Sequence, residues 1–205
     1  MLSHWEPDPR WEGQEAYILG GGPSLTSFDM NLLKGRNVIG CNDAYKLGVE
    51  ICPVVYFIDP DWYGHHYEHL KTYQGELISC RQDFLEYPEI KTTKRFDHGL
   101  HLGGVGYNGN SGAGAINLAI LFGAAKIYLL GFDMELGGAG QANWHQNEVN
   151  QPDIRHYQRF QGEFKDFVIP DWKKKFSHIG IVNLNPDSKL DGFPKEDWRD
   201  HQWQE

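Results

Sequence analysis

The chain has few cysteines and little positive charge. Its 205 residues contain only Cys41, Cys52 and Cys80, whose spacing fits no zinc motif. Three cysteines cannot all pair within one chain, so we expect a reducing compartment. The 19 lysines and arginines are outnumbered by 28 aspartates and glutamates, which gives a formal charge of −9. This balance argues against a broad basic face for duplex nucleic acid, and no such partner is expected.

Apolar targeting segments are also lacking. The first residues, MLSHWEPDPRWEGQ, are acidic and contain no apolar signal core. The stretch 112–132 is apolar enough to suggest a membrane span, but it contains Asn117 and Lys126 and divides into a helix and a strand. We therefore expect this stretch in the protein core, no membrane partner, and a cytoplasmic location, in a bacterial host if a bacteriophage encodes the chain.

Short apolar runs alternate with helical or irregular segments. The runs are AYIL, NVIG, VVYFI, ELIS, KIYLLGFD and IVNL. This alternation predicts an α/β, Rossmann-like fold with a mainly parallel sheet and helices on both faces. We predict one helix after GGGPSL and a buried helix over GAGAINLAILFGAA. A single domain is expected over 1–205, with its core at 16–190 and irregular lid or loop regions at about 81–110 and 136–153.

A glycine-rich turn follows the first predicted strand. It consists of Gly20, Gly21 and Gly22, followed by Pro23 and Ser24. Glycines let a backbone approach a phosphate, and the start of a helix supplies N–H donors. The turn is neither a Walker A loop nor a full G-x-G-x-x-G motif, and its alternative is a tight turn with a serine cap. Ligands of parallel α/β sheets bind beyond the carboxyl ends of the strands, so we expect the glycine-rich turn to contact a nucleotide.

Polar residues follow the second strand and precede the buried helix. Asn42 and Asp43 carry side chains suited to a base or ribose, although an Asx-type turn explains them equally well. Asn110, Ser111 and Gly112 stand where a helix cap is expected, and a cap there can also donate to a phosphate or carboxylate. We include all five in the predicted nucleotide site.

Two acidic or histidine-rich patterns raise the question of a metal. Asp59 and Asp61 form a D-x-D after an apolar strand, where Mg²⁺ or Mn²⁺ could bridge a diphosphate, but such a pair also arises by chance. His65 and His69 stand four residues apart in HHYEH, a spacing that can hold zinc on a helix. For the histidines the favoured interpretation is a solvated helix face.

An acid and a histidine follow the strand KIYLLGFD. Asp133 ends that strand, and His145 lies in a glycine-rich loop beside a tryptophan. A carboxylate held at a strand end can orient a histidine that acts as general base. The alternative is a surface histidine beside a packed tryptophan, and the two readings weigh equally.

Several motifs taken in order resemble a known family. They are GGGPSL, CNDAY, FIDPDWY, GNSGAGAINLAILFGAAKIYLLGFDM and NWH. They are similar to a family of unassigned function that includes archaeal hydroxymethyldihydropterin pyrophosphokinases and flagellin-modifying motility accessory factors, with short members in bacteriophages. They resemble more distantly the bacterial lipooligosaccharide sialyltransferases. The resemblance covers about residues 16–190, although this chain is shorter than the sialyltransferases and lacks their basic C-terminus.

The resemblance to the sialyltransferases implies a site for a cytidine nucleotide sugar. The implied nucleotide contacts are Gly20, Gly22, Pro23, Ser24, Asn42, Ser111 and Gly112. It also implies a histidine base after the strand KIYLLGFD, for which His145 is nearest and His156 lies behind it. The sialyltransferases need no metal, whereas the pterin enzymes use a metal and ATP.

The leading hypothesis is therefore a transferase that binds a nucleotide-activated donor, specifically a sialyltransferase-like glycosyltransferase that uses a nucleotide sugar. The alternatives are an ATP- and Mg²⁺-dependent pyrophosphokinase of the pterin type and a non-catalytic nucleotide-binding module. The expected partner is a nucleotide or nucleotide sugar, and assembly into a homo-oligomer is left open.

Overall fold

A parallel sheet forms the centre of the molecule. The computed structural model describes residues 3–138, 140–145 and 152–203. The strands are β1 (Glu15–Leu19), β2 (Val38–Cys41), β3 (Val54–Tyr56), β4 (Glu76–Ser79), β5 (Ile90–Thr92), β6 (Arg95–Phe96), β7 (Val105–Gly106), β8 (Lys126–Leu130) and β9 (Gly180–Asn183). Seven of them form one sheet in the order β5-β4-β3-β2-β1-β8-β9, with all neighbours parallel. β6 and β7 form a separate parallel pair.

Helices cover both faces of this sheet. They are α1 (Pro60–Leu70), α2 (Ser111–Leu121), α3 (Ile154–Glu163) and α4 (Ile169–Lys175), with a π-helical segment Phe164–Val168 between the last two. Residues of α2, α3 and α4 belong to the core cluster on one face. Residues of α1 belong to the cluster on the other face. The predicted α/β, Rossmann-like fold is thus confirmed.

The alternation of side chains along β1 explains the two core layers. Ala16 and Ile18 pack with the cluster beneath α2, whereas Tyr17 and Leu19 pack with the cluster beneath α1. All four are buried, as expected for a central strand that is covered on both sides. An unbroken apolar run in the sequence therefore becomes two opposed apolar faces.

The apolar stretch 112–132 folds as the sequence predicted. It provides α2 and then β8, both largely buried within the domain. Within the described ranges, no helix combines the length and apolar character that a membrane crossing needs.

The prediction of a helix after the glycine turn is wrong, because no α-helix forms there. The segment forms two 3₁₀ turns, Pro23–Ser27 and Met30–Leu33, separated by extended backbone at Phe28. Asp29 explains the interruption, because its carboxylate accepts the N–H of Asn31 and so starts a new turn.

The irregular region expected at about 81–110 contains more structure than its sequence indicates. It includes β5 at the edge of the main sheet, and the pair β6 and β7. These strands are two or three residues long, too short for an alternating apolar pattern to stand out.

Candidate functional site

A cleft of about 530 Å³ lies at the carboxyl ends of β1, β2, β3 and β8. Parallel strands present these ends at one edge of the sheet, so loops distant in sequence converge there. Among the predicted site residues, the cleft is lined by Gly20, Gly21, Gly22, Asn42, Asp43, Asp59, Asn110, Ser111, Gly112, Asp133 and His145. Pro23, Ser24 and Asp61 are outside this lining.

Two of the three glycines in the turn are required by the protein itself. A Cβ added to Gly20 would lie 2.7 Å from the carbonyl oxygen of Gly131. A Cβ added to Gly22 would lie 2.5 Å from Cγ of Asp133 and 2.6 Å from the same carbonyl oxygen. The end of β8 therefore packs against the turn so closely that side chains do not fit.

Gly21 differs from its neighbours because an added Cβ would meet side-chain atoms and no backbone among its nearest contacts. A Cβ there would lie 2.7 Å from Oδ1 of Asn143 and 4.0 Å from Nε2 of His145, both on the loop after β8. Within residues 3–138, 140–145 and 152–203, the Gly21 N–H makes no hydrogen bond to another group. This N–H is therefore a hydrogen-bond donor that a ligand in the cleft could use.

The N-terminus of α2 forms the opposite part of the lining. Asn110 caps the helix, since its side chain accepts the N–H of Ala113 at 2.9 Å. Ser111 and Gly112 occupy the first turn, whose N–H groups have no partner within the helix. The side chain of Asn110 binds the N–H of Ala113 and leaves the N–H groups of Ser111 and Gly112 at the start of the helix. An anion is favoured at that position.

Asn42 adopts a left-handed backbone conformation directly after β2. Its φ is 51°, a region that asparagine tolerates better than most residues. Ser111 donates its hydroxyl to Oδ1 of Asn42 across 3.4 Å. The polar ends of β2 and α2 are thereby joined at one side of the cleft.

Asp43 is buried among protein donors. Only 1% of it is exposed, and its carboxylate accepts Trp62 Nε1 at 2.6 Å and Lys46 Nζ at 2.8 Å. His145 Nδ1 lies 3.5 Å from Oδ2 of Asp43. Burial by itself raises the pKa of Asp43, but the bonds from Lys46 and Trp62 and the charge of His145 outweigh it and hold the pKa below its ordinary value. The carboxylate is thus ionised and faces His145.

The loop that carries His145 is attached to the glycine turn. Trp144 donates its backbone N–H to the carbonyl of Gly21 at 3.0 Å and its indole Nε1–H to the carbonyl of Gly20 at 3.1 Å. Tyr157 of α3 donates its hydroxyl to the carbonyl of Ala142 at 2.9 Å. These bonds hold His145 with Nδ1 towards Asp43 and Nε2 towards Gly21.

Asp133 supports the glycine turn from behind. Its carboxylate accepts the backbone N–H of Ser24 at 2.7 Å, the hydroxyl of Ser24 at 2.6 Å and the amide of Asn185 at 2.9 Å. The N–H of Ser24, expected to contact a nucleotide, is therefore bound to the protein. The carboxylate that the structure sets beside His145 is Asp43, a pairing that the sequence did not suggest.

The two aspartates of the D-x-D pair have different positions in the structure. Asp59 caps α1 by accepting the N–H groups of Asp61 and Trp62, and Asp61 is exposed on the first turn of the helix. Only Asp59 lines the cleft. No group of three or more histidine, cysteine, aspartate or glutamate side chains with metal-binding geometry occurs among the described residues. The described residues thus add no third protein ligand to Asp59 and Asp61, and binding of Mg²⁺ or Mn²⁺ by this pair stays a prediction.

Sequence reasoning missed several residues of the cleft. Trp62, Arg81, Tyr107, Asn143 and Arg159 line it. In addition, His66 is 3% exposed, so the predicted solvated face of HHYEH is wrong at this position. The signal was present in the helical spacing, because Trp62, His66 and Leu70 recur every four residues and share the buried side of α1.

No family model and no curated protein matches the chain. Among solved structures, it is similar to the sialyltransferase CstII from Campylobacter jejuni in complex with the substrate analogue CMP-3FNeuAc, at 18% identity over 89% of this chain and 85% of that chain, with a TM-score of 0.54. It is also similar to the sialyltransferase CST-II in complex with a trisaccharide acceptor and CMP, at 20% identity over 88% and 85%, with a TM-score of 0.55. The chain shares their fold. The resemblance to the pterin enzymes and motility accessory factors stays a prediction.

Alanine substitutions in the glycine turn should separate packing from ligand contact. Gly22→Ala is expected to lower the free energy of unfolding by about 1–3 kcal/mol, because its Cβ meets backbone and the anchored Asp133. Gly21→Ala meets only the end of the Asn143 side chain, which can move, so it should be within about 0.5 kcal/mol of the parent. Urea denaturation measures both. Equal losses in the two variants would contradict the packing explanation.

Proposed function

We propose that this chain is a glycosyltransferase of the sialyltransferase type that transfers a sugar from a nucleotide donor to an acceptor hydroxyl. The observation that carries the proposal is the pair His145 and Asp43, which opens onto the same cleft as the glycine turn and the N-terminus of α2. A base and an anion-binding edge are thus adjacent. The fold neighbours named above are described in complex with CMP and a CMP-sugar analogue. They support a donor sugar that is activated by a cytidine nucleotide.

In this proposal the donor phosphate lies between Gly21 and the first turn of α2. The N–H of Gly21 and those of Ser111 and Gly112 would donate to its oxygens, and the helix dipole favours the negative charge. Asn42, beside Ser111, would contact the ribose or base. Such fixed donors stabilise the charge that develops on the phosphate as the sugar departs.

The reaction would begin with proton transfer to Nε2 of His145. The acceptor oxygen then attacks the anomeric carbon, and the bond between that carbon and the phosphate oxygen breaks. The electron pair of the broken bond leaves with the nucleotide, and His145 holds the acceptor proton until solvent removes it. Asp43 would keep Nδ1 protonated, so that Nε2 is the nitrogen that takes the proton of the acceptor. Holding donor and acceptor side by side supplies much of the rate.

A thermal-shift series with nucleotides tests the proposal. At about 100 times its dissociation constant, a ligand adds about 2.7 kcal/mol of stability, which for a chain of this size raises the Tm by roughly 5–10 °C. We expect this shift with CMP or a CMP-sugar in the presence of EDTA. Release of CMP from the sugar nucleotide on addition of acceptor sugars, followed by chromatography, then measures turnover.

Other outcomes point to the other hypotheses. A shift that needs ATP and Mg²⁺ and disappears in the double variant Asp59→Asn, Asp61→Asn would support the pyrophosphokinase instead. Nucleotide binding with no turnover against a broad panel of acceptors, unchanged by His145→Gln, would support a binding module. The absence of any shift would contradict the nucleotide site itself.

A further inference from the structure

Two polar side chains of the loop after β8 meet above the glycine turn. Trp144, which stands between them in the chain, donates its indole Nε1–H to the carbonyl of Gly20 at 3.1 Å. Asn143 and His145 both lie against Gly21: a Cβ built there would be 2.7 Å from Oδ1 of Asn143 and 4.0 Å from Nε2 of His145. Both residues line the cleft. A substrate group held at Nε2 of His145 is therefore a near neighbour of the Asn143 carboxamide.

The backbone on both sides of Asn143 is fixed by hydrogen bonds. The carbonyl of Ala142 accepts the hydroxyl of Tyr157 at 2.9 Å, and the N–H of Trp144 donates to the carbonyl of Gly21 at 3.0 Å. The side chain of Asn143 is half-buried, and over the part of the chain that the structure describes its carboxamide makes no hydrogen bond. This carboxamide can therefore offer an oxygen and an NH₂ group to a ligand from a firmly held position.

The chemistry of a carboxamide favours a hydroxyl as the bound group. The carboxamide oxygen accepts and its NH₂ group donates, and a hydroxyl can do both. An anionic group is better matched by the guanidinium groups of Arg81 and Arg159, which also line the cleft. In the proposed reaction one acceptor hydroxyl lies at Nε2 of His145, so a hydroxyl bound by Asn143 would be the next one on the same sugar.

We propose that Asn143 is a specificity-determining residue that binds the hydroxyl next to the attacking one, so that the acceptor is a sugar with vicinal hydroxyls. The inference rests on the proposed function, because it concerns the acceptor of the sugar transfer. Binding through a second hydroxyl fixes the rotation of the acceptor and so directs the attacking oxygen. Analogues that lack this hydroxyl are poorer acceptors, because the Asn143 carboxamide then has no partner in the complex.

Transfer to deoxy acceptors by the full chain tests this role. A panel of methyl hexopyranosides is offered with a CMP-sugar, and NMR of the product of the fastest reaction locates the new bond. The analogues that each lack one hydroxyl adjacent to that bond are then compared with the intact acceptor. The parent is expected to prefer the intact acceptor over one analogue by about 3–10-fold in kcat/KM, as one uncharged hydrogen bond allows. Asn143→Ala should lose this preference and raise the KM for the intact acceptor by a similar factor.

Two further variants control for damage to the loop. Gln141→Ala removes an exposed carboxamide of the same loop that is outside the cleft lining, and it should keep the preference. Gly21→Ala retains Asn143 but places a Cβ against its oxygen, so the preference should weaken, and adding Gly21→Ala to Asn143→Ala should reduce it no further. If the melting curve shows that Asn143→Ala does not fold, Gly21→Ala decides.

The outcomes separate the role of Asn143 from the proposed function. If the parent transfers sugar and Asn143→Ala keeps the preference for the intact acceptor, the role of Asn143 is overturned and the glycosyltransferase stands. Transfer to the primary hydroxyl of the hexopyranosides, which has no hydroxyl on the adjacent carbon, would have the same meaning. Binding of CMP without transfer to any member of the panel would overturn the glycosyltransferase and, with it, the inference.

Discussion

Replacing His145 with glutamine is expected to reduce the rate of sugar transfer by about 10²–10⁴-fold, the usual contribution of a general base. Glutamine is similar in size and keeps a polar end near Asp43, so affinity for the nucleotide should change by less than about threefold. Steady-state rates of CMP release with saturating donor measure the first quantity, and titration calorimetry with CMP measures the second.

His156 provides the matched control for this experiment. It also borders the cleft, but it is exposed and hydrogen-bonded to Asp153 at the start of α3. His156→Gln is expected to keep transfer within about threefold of the parent. If His156→Gln lost most of its transfer rate while His145→Gln stayed active, His156 of α3 would be the base. That result would contradict the assignment made from the Asp43 contact.

Replacing Asp133 with alanine is expected to destabilise the protein by about 3 kcal/mol. The substitution removes three hydrogen bonds to a charged acceptor at a site where the residue is 4% exposed, and it leaves the Ser24 N–H without its partner. Chemical denaturation of both proteins measures the difference. Because Asp133 supports the glycine turn, nucleotide affinity should also fall.

Ser24→Ala gives the graded comparison. It removes one of the three bonds and retains the backbone contact, so a loss of about 1 kcal/mol is expected. If Asp133→Ala were instead nearly as stable as the parent but slow in transfer, Asp133 would act on His145, as the sequence alone suggested. The two readouts therefore separate a supporting role from a role in the reaction.

The sequence was sufficient to predict six of the seven strands of the main sheet and the convergence of most candidate site residues at its carboxyl edge. Apolar runs such as AYIL and KIYLLGFD lead to strands because a strand covered on both faces needs no polar side chain. Polar residues after those runs converge because parallel strands share one carboxyl edge. Both inferences depend only on local pattern and on the geometry of a parallel sheet.

The pairing of side chains within the site could not be read from the sequence. Asp133 and His145 are close in the chain, which made them natural partners, yet the carboxylate at 3.5 Å is Asp43, about a hundred residues earlier. Likewise, the glycines at 20 and 22 looked like an adaptation to phosphate, whereas the end of β8 already excludes side chains there. Contacts between distant segments decide such roles, and sequence spacing does not contain them.

The strand order has a consequence for biosynthesis. β1 to β5 are neighbours in chain order, so they can assemble progressively as the chain up to Thr92 leaves the ribosome. The other edge of β1 must wait for β8, which begins at residue 126. Until then the nascent chain carries an open, apolar strand edge, which favours mispairing and chaperone engagement. Loop closure over more than a hundred residues also places this protein among slow folders.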